Sequence, residues 1–171
     1  GEDTLRVLDE EPERLAEVKG ITLKMADTVS RSWEEHRSIR SLIMFLQPHD
    51  ISTSYAVRIY RFYGPEALEV VRDNPYRLAM DIPGIGFTTA DMLARKLGVE
   101  HDSPLRAEAG ILYIMRALGD DGHVYYPLDK LSEKSMADLN IDEDVTVNAI
   151  KRLADTERVV IEDIYTAEGF Q

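Results

Sequence analysis

Apolar residues along this chain recur mostly at helical spacing, interrupted at short intervals by glycine, aspartate or proline. The opening GEDTLRVLDEEPERL is acidic and helical in pattern, and further helical patterns run over 52–63 and 88–97. Ser103-Pro104 suits a helix start, and Ala109, Leu112, Tyr113 and Met115–Ala117 predict a helix to about Leu118. Gly119–Gly122 breaks it. His123–Tyr126 then reads as a short strand, and Pro127–Leu139 as a helix with Leu128, Leu131 and Met136 apolar. A further helix, Val145 to about Ala154, would turn Val147, Ile150 and Leu153 inward, and Val159–Ile161 would begin a last strand reaching toward Tyr165. In a strand Tyr125 and Tyr126 point to opposite faces, so at most one of them is core.

The same pattern contains an internal repeat. Leu5–Ala16 matches Leu68–Ala79 at an offset of 63, with Leu, Val, Pro, Arg, Leu and Ala coinciding. After one inserted residue, Asp81, Val18–Asp27 matches Ile82–Asp91 at an offset of 64. A third, more eroded copy is Asp50-Ile-Ser-Thr-Ser-Tyr-Ala56. The three frames begin at Gly20, Asp50 and Gly84, spaced 30 and 34 residues apart, and a helical pattern flanks each on both sides. Self-similarity of this kind marks a duplicated supersecondary unit, here helix, short turn, helix, with turns near 20–26, 50–56 and 84–90.

A tight turn between packed helices needs positive φ or a close backbone approach, and glycine supplies both at least steric cost. Gly84 would end one helix, Gly86 would let the chain enter the next, and Ile85 would plug the gap between them. Ala26 and Ala90, six positions after their first glycines, would allow close helix contact. Such a turn presents backbone N–H groups at a helix N-terminus, where the helix dipole also favours an anion, and phosphate is the obvious candidate. At this point the sequence resembles the helix-hairpin-helix motif, which binds the DNA backbone without reading sequence. The candidate contacts are Gly84, Ile85, Gly86, Thr88 and Thr89 with Arg95 and Lys96 in hairpin three. Hairpin one offers Gly20, Thr22 and Lys24, and hairpin two Ser54 and Arg58. Hairpin one has Thr22 in place of the second glycine, and hairpin two has Asp50 and Ser52 in place of both. Asp50 would repel a phosphate unless it caps the helix, the role the sequence favours for it. The competing interpretation is a scaffold whose helix pairs only pack.

Composition changes this picture in one respect. The net charge of −12 argues against a general nucleic-acid binder. It is unevenly spread. Residues 103–171 hold 14 acids and 7 bases, residues 1–102 hold 18 and 13, and the span 19–61 reverses sign with seven bases against four acids. No apolar run is long enough for a membrane span, and with no cysteine there is no disulfide framework or thiol site. Both fit a cytoplasmic protein. The start at Gly1 and the ending AEGFQ suggest a piece of something longer.

Several chemistries lack their residues. There is no G-x-x-x-x-G-K-[ST] loop for ATP. His36, His49, His101 and His123 lack metal-ligand spacing, and Asp120-Asp121 and Asp142–Asp144 read as turns and helix N-termini. Trp33, Phe45, Tyr60, Phe62 and Tyr63 sit at helical spacing, where core is the commoner role than base stacking. An autonomous nuclease or glycosylase is therefore not expected.

Asn74-Pro-Tyr-Arg-Leu78, Asp81–Asp91, Arg106–Tyr113 and Gly122-His-Val-Tyr125 together resemble the N-terminal, pre-ATPase region of RecD/TraA-type DNA helicases (exodeoxyribonuclease V alpha-subunit-like). The resemblance runs from roughly Thr4 to Tyr165. It implies an ATP-driven helicase moving 5′ to 3′ on single-stranded DNA, with RecA-like motor domains C-terminal to Gln171 that carry ATP, magnesium and the catalytic residues. The expected architecture is mainly α: tandem helix-hairpin-helix units over 1–102, then a small winged-helix-like α+β module over 103–171. The expected partners are single-stranded or forked DNA and the motor domains. The alternative is a protein–protein docking scaffold for the motor, with hairpins that no longer bind DNA.

Overall fold

In the computed structural model, residues 2–163, 165–166 and 169–170 are described, with side chains described for 6–163. The chain divides into two compact units, 1–73 and 74–171. The sequence pattern puts a boundary at 102/103; in the structure the third hairpin and the C-terminal helices share one unit.

The first unit contains α1 (Glu2–Glu10), a 3-10 turn (Pro12–Glu17), the long α2 (Leu23–Leu46), a second 3-10 turn (Gln47–His49), α3 (Thr53–Tyr63), a third (Gly64–Glu66) and α4 (Ala67–Asp73). Leu42, Leu46, Ala56, Ile59 and Val71 are almost completely buried. Arg72 stacks over the Phe45 ring at 4.9 Å.

The second unit contains α5 (Arg77–Asp81), α6 (Phe87–Lys96), α7 (Pro104–Asp120), α8 (Leu128–Leu139) and α9 (Glu143–Asp155). Helix α7 starts as its sequence predicts, with Ser103 at the N-cap and Pro104 in the first turn. It buries Ala107, Ile111, Ile114 and Leu118, spaced so that they form one stripe. Against that stripe pack Leu131 and Leu139 of α8 and Ala149, Ile150 and Leu153 of α9. Gly110 is the contact point of α7 with α8, where a Cβ would sit 2.5 Å from Leu139 Cδ2. Val147, expected inward, is 51% exposed, because Thr146 beside it takes the inward position; Leu128, in the first turn of α8, is 48% exposed.

The expected winged-helix-like sheet does not form among the described residues. Helix α7 closes with a left-handed Gly122 (φ 95°), whose N–H donates to Gly119 O while the His123 N–H donates to Leu118 O. Helix α9 closes likewise, with Glu157 at φ 56° and the Arg158 N–H donating to Leu153 O at 2.8 Å. The first amides of both expected strands, His123–Tyr126 and Val159–Ile161, are thus used as helix caps. The segments then flank a groove of about 1070 Å³ lined by side chains such as Tyr126, Leu131 and Val159, so their backbones do not pair. The described strand pairing is two residues long, Tyr165–Thr166 (β1) antiparallel to Gly169–Phe170 (β2). The 103–171 region is a helical trio rather than an α+β module. Tyr126 still packs on the core and Tyr125 is 54% exposed, as alternation predicts even without a strand.

Candidate nucleic-acid interface

All three repeat frames fold alike. Gly20, Asp50 and Gly84 take left-handed φ values of 97°, 55° and 78°. The following residue is an isoleucine, half-buried at 21 and buried at 51 and 85. Next comes an extended N-cap, Thr22, Ser52 or Gly86. Four residues later Ala26, Ala56 or Ala90 lies buried, its N–H returning to the N-cap carbonyl. The small alanine is what lets the second helix of each hairpin lie close to its neighbours. Asp50 takes the glycine-like turn position, one that short polar side chains tolerate, while Ser52 is the N-cap.

The frames differ in what occupies the first turn of the second helix, whose leading amides have no partner within the helix. In hairpin one the Thr22 hydroxyl accepts from the Met25 N–H at 3.2 Å. In hairpin two Ser52 Oγ and Ser54 Oγ lie 2.7 Å apart. In hairpin three the N-cap is Gly86, which has no side chain to accept from the amides of Phe87, Thr88 and Thr89. Gly84, Gly86 and Thr88 are exposed, Thr89 is half-buried, and Ile85 is the buried plug at 2% exposure. Gly86 differs from Gly84 in needing no special backbone: its φ is −87°, and a Cβ added there would meet nothing within 4 Å. Its lack of a side chain leaves open space above the turn.

Hairpin three rests on a buried polar cluster that the sequence reading did not single out. Arg106 of α7, 5% exposed, forks onto Asp91 of α6, with Nε donating to Oδ1 at 2.9 Å and Nη2 to Oδ2 at 3.3 Å. Its Nη1 donates to the carbonyls of Leu139 (2.9 Å) and His101 (3.2 Å). The Tyr76 hydroxyl donates to Asp91 Oδ1 at 2.8 Å, and Asn74 Oδ1 accepts from the Tyr76 N–H at 3.0 Å, which holds the ring in place. Tyr76 stacks on Phe87, and Phe87 stacks on Tyr113. Burial first, and then the bond to Asp91, push the Tyr76 hydroxyl well above the usual tyrosine range. A signal for part of this was in the repeat: Ala-Asp recurs at 26–27 and 90–91, each with arginine four residues on, at 31 and 95.

Of the other candidates, Arg95 is exposed with its Nε 3.7 Å from Asp91 Oδ2. Lys96 is exposed beside it, and both fall in the last turn of α6, where cations also complement the helix dipole. Gly20, Lys24, Ser54 and Arg58 are exposed in the first unit. Tyr60 is core, as expected of an aromatic at helical spacing, whereas Phe62 is 51% exposed. Among the described residues no group of three or more His, Asp or Glu is placed to hold a metal ion, and no helix is long and apolar enough to cross a membrane.

The family model of the HHH domain of ATP-dependent RecD2 DNA helicases matches residues 35–125. The chain belongs to the RecD2 helicase family. The match takes in hairpins two and three and the cluster around Arg106, and begins after hairpin one. The chain is also 30% identical over 122 residues to the ATP-dependent RecD2 DNA helicase of Deinococcus radiodurans, an alignment covering 71% of this chain and 17% of that protein. The RecD-type resemblance carried by Asn74–Leu78, Asp81–Asp91 and Arg106–Tyr113 is thereby shown, and within the RecD2 family this chain corresponds to a small part of a much longer relative.

Proposed function

We propose that this chain is a non-catalytic accessory region of an ATP-dependent, 5′ to 3′ DNA helicase that holds the DNA backbone without reading sequence. The observation that carries the proposal is hairpin three: an exposed turn, Gly84–Thr89, whose N-cap is a glycine with open space above it and whose helix amides no side chain of that N-cap can occupy. Backbone amides and a helix dipole recognise a phosphate oxygen and carry no base information. Single-stranded or forked DNA is the proposed ligand, and ATP and magnesium belong to motor domains elsewhere in the longer protein, in the cytoplasm. The structure favours hairpin three over hairpin one, because Thr22 already caps the first turn of α2.

A second reading has its own observation. Val18, Leu23 and Val29 of hairpin one are 54%, 79% and 44% exposed, whereas their repeat counterparts Ile82, Phe87 and Leu93 are at most 9% exposed. Hairpin one thus retains the apolar positions of a packed face, and the reading it favours is a docking surface for the motor domains.

The test is binding of the chain to single-stranded and forked DNA across a salt series, with Gly86→Ala as the probe. Since Gly86 has ordinary φ and free space, the alanine variant should melt within a degree or two of the parent. Its added methyl lies where the phosphate would approach, so its DNA affinity should fall about tenfold at low salt, and the logarithm of the parent's affinity should fall linearly with log salt. Unchanged DNA binding by Gly86→Ala removes hairpin three from the interface; no binding by the parent at low salt leaves the docking reading.

A further inference from the structure

An acid one turn inside a phosphate-binding helix is an electrostatic liability, and the duplicated hairpins resolve it differently. In hairpin one Asp27 is paired with Arg31 four residues on, both largely exposed, and the pair is neutral. In hairpin three the corresponding Asp91 and Arg95 are joined by Arg106, which takes both carboxylate oxygens from the buried side, while Tyr76 donates to one of them. Tyr76 has an exposed glutamate, Glu13, as its counterpart in the first copy. Asp91, Arg95 and Arg106 together carry one net positive charge; Arg106 donates the guanidinium hydrogen bonds to Asp91, and Arg95, 50% exposed, keeps a long 3.7 Å ion pair with it.

The placement matters as much as the charge. Thr88, Asp91 and Arg95 lie three and seven residues apart on α6, which puts them on one stripe of the helix. Side chains on a helix lean toward its N-terminus, so the Arg95 guanidinium sits level with Asp91, about one turn from the amides of the Gly86 cap. We propose that Arg106 is a positioning residue for DNA binding: by neutralising Asp91 from the buried side it releases Arg95 to pair with a DNA phosphate beside the Gly84–Thr89 turn. Arg106 touches no DNA itself. The inference rests on the reading that hairpin three binds DNA, and it adds a reason why this hairpin, rather than hairpin one, is charged for it.

The experiment compares salt-dependent DNA binding by the parent chain, Arg106→Gln, Arg106→Lys, Arg95→Ala and the double variant Asp91→Asn/Arg106→Gln, with far-UV circular dichroism as the fold check. In Arg106→Gln Asp91 keeps the bond from Tyr76 but loses its buried counter-charge, and it draws Arg95 in from 3.7 Å. Affinity should fall as far as in Arg95→Ala, about tenfold at low salt, with the slope of log affinity against log salt reduced by about one. Adding Arg95→Ala to Arg106→Gln should then change nothing further. Arg106→Lys keeps the charge and should retain most of the slope. The double variant has no acid to capture Arg95 and should bind as the parent does, a rescue that a merely structural role for Arg106 would not produce. If Arg106→Gln does not fold, the double variant decides alone: parental slope supports the inference and a slope lower by about one overturns it. Folded Arg106→Gln with parental affinity also overturns it. A parent chain that binds no DNA at low salt is a different result, which refutes the underlying reading.

Discussion

At φ 78° Gly84 lies in the left-handed region that favours glycine, whereas Gly86, two residues on, is extended at −87° and has room for a side chain it does not carry. The fold accounts for the first glycine; for the second it shows only open space, where the proposed phosphate would approach. Tyr76 is the other residue whose surroundings make a measurable demand. Its hydroxyl is held protonated by burial and by Asp91, so its folded pKa lies above its unfolded value of about 10. A raised pKa gives stability that is complete below the unfolded pKa and lost as pH rises beyond it. The chain should therefore lose thermal stability steeply above pH 10, and Tyr76→Phe should flatten that alkaline limb while lowering the melting temperature at neutral pH. Melting curves between pH 8 and about 11 would check both. The Asp91–Arg106 pair beneath the tyrosine is also where single changes cost most, because removing one partner of a buried ion pair leaves the other uncompensated.

Among the elements, the three hairpins share one backbone frame and differ at the cap. Hairpin one is closed by Thr22, whose hydroxyl holds the Met25 amide at the start of the 24-residue α2. Thr22→Ala should lower stability by about 1 kcal/mol, the usual worth of an N-cap, and leave DNA affinity unchanged. A urea midpoint and one binding isotherm separate that outcome from a role for Thr22 in DNA contact. Helices α7 to α9 illustrate how an element's neighbours override its local pattern. Val124 and Val160 have strand-like chemistry, yet their segments follow the left-handed residues Gly122 and Glu157 that close α7 and α9, and those valines end 94% and 76% exposed. β-propensity describes fit to a pleated, half-buried surface, and no such surface is offered there.

On the scale of the whole molecule, the division at 73/74 puts hairpin three, its buried cluster and helices α7 to α9 in one unit with a continuous core. A 74–171 fragment should therefore fold alone and bind DNA with the same salt slope as the full chain, as circular dichroism and a salt titration would check. A fragment that folds but binds with a markedly lower slope would assign part of the contact to hairpin one or two. The net charge of −12 is compatible with the proposed backbone contact because that contact would be local: Arg95 would meet a phosphate within a few ångströms, inside the screening length of about 8 Å at physiological salt.

Much of this was legible in the sequence because it is local. The repeat offsets, the glycine or aspartate and the isoleucine of each turn, the alanine six residues on and the serine–proline start of α7 fix backbone geometry within a few residues, and each appears where the pattern put it. The family followed from the same residues. The tertiary structure alone decided three things, each involving residues far apart in the chain. Arg106 meets Asp91 across 15 residues and the Leu139 carbonyl across 33, a convergence that no spacing rule anticipates. The expected strands fail because pairing requires a second backbone at hydrogen-bonding distance, whereas their first amides are spent closing α7 and α9 and both segments line a groove. Sequence assigns the two glycines of Gly-Ile-Gly neighbouring turn roles, but only the structure shows that Gly84 needs its left-handed φ and that Gly86 has an ordinary φ with open space above it.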